Sequence, residues 1–171
     1  DTASKDTPGI GDEISSKAYD GADDHNDKND LPAMDANDDL ILDWKTTVVI
    51  PQGADSFVYN DYVKSDMWEN GLGFVEDSLV VTAVDGSGNP ITLEEGVDYS
   101  VPTYSTSGTT YNMDFSFTPA GMSKINADGN SKVYIEYSTI GRYHDRAAQD
   151  WQKYRNHYNV TVGSISENGD A

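Results

Sequence analysis

The sequence contains no cysteine. Disulfides, thiolate metal sites and cysteine nucleophiles are therefore excluded. Basic residues are scarce: 11 Lys and Arg stand against 30 Asp and Glu, a net charge of -19 over 171 residues. A field of that sign repels phosphate, so nucleic acid and anionic membrane are poor partners. Cations, basic proteins and neutral glycans fit it better. No apolar run is long enough to span a bilayer, so direct membrane insertion is not expected. The chain opens at Asp1 in polar sequence and reads as a mature or excised piece of a longer polypeptide. Phenylalanine is also sparse, with 4 against 11 tyrosines. Tyr, Thr, Val and Ser alongside many Gly and Asp is the composition of a β-rich extracellular module.

Three stretches can be told apart. Residues 1–39 form an acidic, loop-rich N-terminal segment with one aromatic, Tyr19. It buries little, but the spacing of Ile10, Ile14 and Ala18 allows a first strand around Ile10 to Tyr19. Residues 40–165 carry the strand signals, and residues 166–171 read as a tail. From Leu40 to Ile50 apolar and polar positions alternate with period two, the mark of a half-buried strand. Further strands are expected over Ser56–Val63, Asp77–Val84, Ile91–Leu93, Tyr99–Tyr104, Tyr111–Phe117, Val133–Tyr137 and from Asn159 to Val162. Asp85 to Pro90 is dense in turn residues. Thr118 can cap a short helix with Pro119 in its first turn and Met122 and Ile125 inward. Ala147, Ala148, Trp151 and Tyr154 recur at helical spacing, so residues 142–156 read as a helical insertion. Short strands without strand–helix–strand alternation predict an all-β, Ig-like Greek-key β-sandwich with one or two short helical insertions.

Several pieces occur in a particular order. They are Thr46-Thr47-Val48-Val49-Ile50-Pro51, Phe57-Val58-Tyr59-Asn60-Asp61, Asn70-Gly71-Leu72-Gly73-Phe74, Gly96-Val97-Asp98-Tyr99, Phe115-Ser116-Phe117-Thr118-Pro119-Ala120-Gly121 and Val133-Tyr134-Ile135-Glu136-Tyr137-Ser138. In this order the stretch Leu40–Tyr137 resembles the isopeptide-forming fimbrial domain of Gram-positive pilins and wall-anchored adhesins, of the collagen-adhesin type. The resemblance implies a self-made Lys–Asn amide between the first and last strands, assisted by a nearby acid. Burial strips a lysine of its charge and makes it nucleophilic, while a protonated carboxyl polarises the amide it attacks. Carried over by position, Asp61 is the assisting acid. The family's lysine position holds Asp12 here, and Lys17 is the nearest lysine. For the acceptor, Asp145 and Asn156 are both candidates.

Other constellations carry other chemistry. Residues 20–30 are crowded with hard oxygen donors, and Asp20, Asp24, Asn26 and Asp30 are candidate calcium ligands, although Lys28 and the missing closing glutamate depart from an EF-hand. Apart from calcium no cofactor is expected. The histidines, His25, His144 and His157, do not form a zinc spacing. No nucleophile elbow or phosphate-binding glycine loop is present, so turnover catalysis is not expected. Trp68 in the insertion 64–69, and Trp151 and Tyr154 in the insertion 142–156, are candidate contacts for a host glycan or protein. The expected function is a structural or adhesive module of an extracellular, wall-attached surface or pilus protein. Its partners would be neighbouring domains of that protein, with attachment through parts outside this chain.

Overall fold

A computed structural model describes residues 15–19, 39–64, 73–127, 129–142 and 156–170. Among them run the strands β1 (Ser15–Tyr19), β2 (Asp39–Val49), β3 (Phe57–Lys64), β4 (Val80–Val84), β5 (Pro90–Ile91), β6 (Thr103–Ser107) and β7 (Thr110–Ser116). The helix α1 (Pro119–Ile125) follows, then β8 (Lys132–Arg142), β9 (His157–Val162) and β10 (Ile165–Asp170). The strands form two sheets, ordered β1-β2-β8-β4-β5 and β10-β9-β3-β7-β6. Every ladder between neighbouring strands is antiparallel. The fold is the expected all-β sandwich.

The inward face of each strand follows from its alternation. In β2, Leu42, Trp44, Thr46 and Val48 are buried, and Ile50 continues the row. Across it in the same sheet lie Val133, Ile135 and Tyr137 of β8 and Val81 and Ala83 of β4. The facing sheet supplies Phe57, Tyr59 and Val63 of β3, Met113 and Phe115 of β7, and Tyr158, Val160 and Val162 of β9. The aromatic rings interlock: Phe57 lies 4.8 Å from Phe117 and Tyr59 lies 5.4 Å from Phe115, centroid to centroid. Rings at such spacings contribute beyond the area they bury.

The helix forms where the sequence predicts it. Thr118 accepts the Gly121 backbone N–H on its side chain and Pro119 occupies the first turn, where a missing N–H costs nothing. Met122 and Ile125 are buried beneath it. The helix sits directly on the preceding loop, because a Cβ on Gly121 would fall 1.9 Å from the Asp98 carbonyl oxygen. Only glycine allows that approach.

Several elements differ from expectation at their boundaries; β8, expected over Val133–Tyr137, runs on to Arg142, and β5 is Pro90–Ile91 where Ile91–Leu93 was expected. The strand expected over Tyr99–Tyr104 is displaced to Thr103–Ser107. Tyr99 instead makes isolated bridges to Glu95 and Phe117, and Pro102 cannot donate to a ladder. β4 begins at Val80 because Asp77 takes a positive φ of 69° just before it. Most of the stretch 166–171, read as a tail, lies in β10, which pairs with β9 along its whole length. The two-residue connection Gly163–Ser164 makes that hairpin, with Gly163 at φ 60° in the first central position. Of the strand expected around Ile10 to Tyr19, the described residues Ser15–Tyr19 form β1, antiparallel to β2.

Candidate functional site

A sandwich core is normally apolar, and this one contains a polar chain. Thr46 stands on β2, Tyr59 and Asp61 on β3, Tyr137 on β8, and Asn156 immediately before β9. The Thr46, Asp61 and Asn156 residues are 0% exposed, and so is Tyr59. The Thr46 and Tyr59 hydroxyls share a hydrogen bond of 2.7 Å. The Tyr59 hydroxyl donates to Asp61 Oδ2 at 2.6 Å, and the Tyr137 hydroxyl donates to the same oxygen. Asn156 Nδ2 donates to the Tyr137 oxygen at 2.9 Å. The chain therefore runs from one sheet to the other and ends on a carboxamide. Such a buried network is costly unless its members satisfy one another.

Local structure explains the placement. β3 alternates Phe57, Tyr59, Asp61 and Val63 inward, so Asp61 takes an inward slot between a tyrosine and a valine. Its register partners are Tyr158 on β9 and Met113 on β7, both buried. The carboxyl is held there by the Tyr59 and Tyr137 phenols. The phenols respond: burial first, then the Asp61 carboxyl, pushes both Tyr59 and Tyr137 well above the ordinary tyrosine value. Both stay protonated across the physiological range and can act as neutral donors.

The register of β1 brings a further residue to this place. Lys17 lies directly opposite Thr46 in the β1–β2 ladder. Directly opposed residues of an antiparallel pair occupy the same face of their sheet. Position 17 thus shares a row with the residue that begins the polar chain. Of the two acceptors considered, Asn156 is the one that the structure joins to Asp61 through Tyr137; Asp145 lies outside the described residues.

The candidate calcium ligands Asp20, Asp24, Asn26 and Asp30 also lie outside the described residues, as do Trp68, Trp151 and Tyr154. His157 is described: its ring stacks 4.8 Å from that of Tyr62, and Nδ1 is 3.8 Å from Asp170. Among the described residues no group of three or more His, Asp or Glu side chains is arranged to hold a metal ion. Tyr59, Tyr137 and Thr46 were legible in the sequence only as core positions. The available signal was tyrosine, rather than phenylalanine, at inward positions, since a buried phenol hydroxyl needs a partner.

No protein-family model and no curated protein matches the chain. Solved structures do. The N-terminal domain of the Streptococcus gordonii adhesin Sgo0707 matches with a TM-score of 0.55 and 21% identity, over 92% of this chain and 31% of that one. The major pilin SpaA of Corynebacterium diphtheriae matches with a TM-score of 0.54 and 12% identity, over 86% of this chain and 30% of that one. The group B streptococcus pilus 2b backbone protein matches with a TM-score of 0.53 and 14% identity, over 91% and 55%. The chain therefore spans between 30% and 55% of the length of these proteins. At such identities the likeness is one of fold: this chain has the sandwich of pilin and adhesin domains.

Proposed function

We propose that the chain is a structural or adhesive module of a bacterial cell-surface or pilus protein, stabilised by an intramolecular amide between Lys17 and Asn156, with Asp61 as the assisting acid. The observation that supports it is the buried chain linking Asp61 to the Asn156 carboxamide, with position 17 in register beside it. The fold it shares with pilin and adhesin domains points the same way; one of those pilins, SpaA, is described as assembled with stabilising isopeptide bonds.

The chemistry suits the setting. In a low-dielectric site a lysine and a carboxylic acid are each favoured in the neutral form. The neutral Lys17 Nζ attacks Asn156 Cγ, an Nζ–Cγ bond forms, the Cγ–Nδ2 bond breaks, and ammonia leaves. Asp61 polarises the amide and returns unchanged. The product fastens β1 to the start of β9, so that pulling on either end of the sandwich loads a covalent bond instead of a ladder of hydrogen bonds. Such a module would work outside the cell. Attachment to the wall and contact with neighbouring domains would come through parts of the protein beyond this chain.

The test is the intact mass of the purified chain. A mass short by one ammonia, restored to the full sequence value in Asn156→Ala, is the expected result. A full mass in the parent chain refutes the cross-link.

A second reading, contact with a host glycan or protein, is favoured by a cleft of about 260 Å³ lined by Gly73, Phe74, Glu76, Tyr104, Ser105 and Tyr111, among others. Ring faces beside hydroxyls and a carboxylate suit a sugar. The cleft follows soon after the insertion 64–69. Glycan-array binding that is lost in Tyr111→Ala supports this reading, and an array without signal removes it.

A further inference from the structure

Resting on the cross-link just proposed, the structure raises a question of proton movement. The amine that attacks must lose a proton, and the departing Nδ2 must gain one before it leaves as ammonia. The group in contact with Nδ2 is a phenol: the Tyr137 oxygen accepts from Asn156 Nδ2 at 2.9 Å and its hydroxyl donates to Asp61 Oδ2. Tyr137 is thus interposed between the acid and the leaving nitrogen.

We infer that Tyr137 is a catalytic proton relay, carrying the proton of Asp61 to the leaving nitrogen of Asn156. In the resting amide Nδ2 is a donor and the Tyr137 oxygen its acceptor. Once Nζ has added to Cγ, Nδ2 is a tetrahedral amine with a lone pair, and the same contact runs the other way. The Tyr137–Asp61 bond reverses with it: Tyr137 gives its hydroxyl proton to Nδ2, and the Asp61 carboxyl O–H donates its proton to the phenol oxygen. The Cγ–Nδ2 bond then breaks with its electron pair on nitrogen, and ammonia departs. Asp61 is reprotonated by the proton that Nζ surrenders. One proton has moved from Nζ to Nδ2, and no other reagent is consumed.

Two features fit Tyr137 to this task. Burial above all keeps its phenol protonated, so it is held as a donor. Its ring is packed 6.0 Å from Phe74, which fixes the hydroxyl between its two partners. Tyr59 provides an internal control. It donates to the same Asp61 oxygen, but its other contacts are Thr46 and Tyr137 rather than the acceptor amide. Tyr59 is a positioning residue for Asp61.

The experiment follows mass against time after a short pulse of cell-free synthesis, for the parent chain, Tyr137→Phe and Tyr59→Phe. General-acid assistance is worth about 10²- to 10⁴-fold, so Tyr137→Phe should lose ammonia slower than the parent by that factor. Tyr59→Phe should remain within about tenfold of the parent, below that range. Circular dichroism establishes that each variant is folded. Should Tyr137→Phe not fold, 3-fluorotyrosine placed at position 137 keeps the shape and changes only phenol acidity. The relay predicts a larger change of rate with fluorine at 137 than with fluorine at 59. A parent chain that never loses ammonia refutes the cross-link itself. A parent that links, with Tyr137→Phe or the fluorinated chain linking at the parent rate, refutes the relay and leaves the cross-link standing.

Discussion

Two carboxylates of this chain, Asp61 and Asp98, are each 0% exposed, and they are buried among different neighbours. Asp98 meets a cation and a backbone donor. Lys124 Nζ lies 2.8 Å from its Oδ2, and the Glu94 N–H donates to the same oxygen at 2.8 Å. Its carbonyl also accepts from the Thr118 N–H at the start of α1. The Lys124 hydrogen bond holds its carboxyl below the usual aspartate range. It is an ionised tie between loop and helix. Asp61 has phenols for neighbours instead, and its network leads to a carboxamide. Asp98 has a cation for a partner, whereas the groups that donate to Asp61 are uncharged phenols.

Substitutions should separate the two. The largest effect belongs to Asp61→Ala. Its chain should keep the full sequence mass, and its unfolding free energy should fall by roughly 5 kcal/mol, the chain-entropy value for releasing a long closed loop. The phenols left without their acceptor add about 1–3 kcal/mol. Denaturant titration beside the mass spectrum checks both numbers.

Asp98→Ala should leave any cross-link untouched and cost about 2–3 kcal/mol, the scale of a hydrogen bond to a charged group. The pH dependence carries its own sign. The folded carboxyl binds its proton less readily than the unfolded one, so this contribution is present above the ordinary aspartate value of 3.8 and fades as pH falls through the lowered folded value. Melting temperatures of the parent should therefore drop in acid more steeply than those of Asp98→Asn. At the alkaline end the order reverses. Tyr59 and Tyr137 hold their protons above the ordinary tyrosine value of 10.0, so stability should fall as pH rises past that point, and the fall should be shallower in Tyr59→Phe.

Gly121→Ala should cost roughly 1–3 kcal/mol by overpacking, since its Cβ meets the Asp98 carbonyl, despite the better helix propensity of alanine. Lys124→Ala leaves the buried Asp98 carboxyl with the Glu94 N–H but without its cation, and should cost about 1–3 kcal/mol, the scale of a buried polar group that loses a partner.

The same contrast shows what could be read from the sequence. Elements whose pattern is local were legible: the alternation of β2 and the Thr118–Pro119 start of α1 are both found where expected. β10 was not. Ser166, Asn168 and Asp170 face outward from an edge strand that has one partner, and a polar edge strand looks like a tail. Asp61 could be placed by resemblance, and its inward alternation agrees with that position. The tyrosine hydroxyls that reach it could not be, because a period-two pattern counts a tyrosine as a ring. Which hydroxyl meets which carboxyl depends on how two sheets are stacked. Tyr137 and Asp61 are 76 residues apart in sequence and touch across the sandwich.

Peptide mapping of the digested chain tests the central claim most directly. The account predicts a branched peptide joining Lys17 to Asn156, lighter by one ammonia than its two components, and absent from Asp61→Ala. Separate, unmodified peptides carrying Lys17 and Asn156 from the folded parent chain would contradict it.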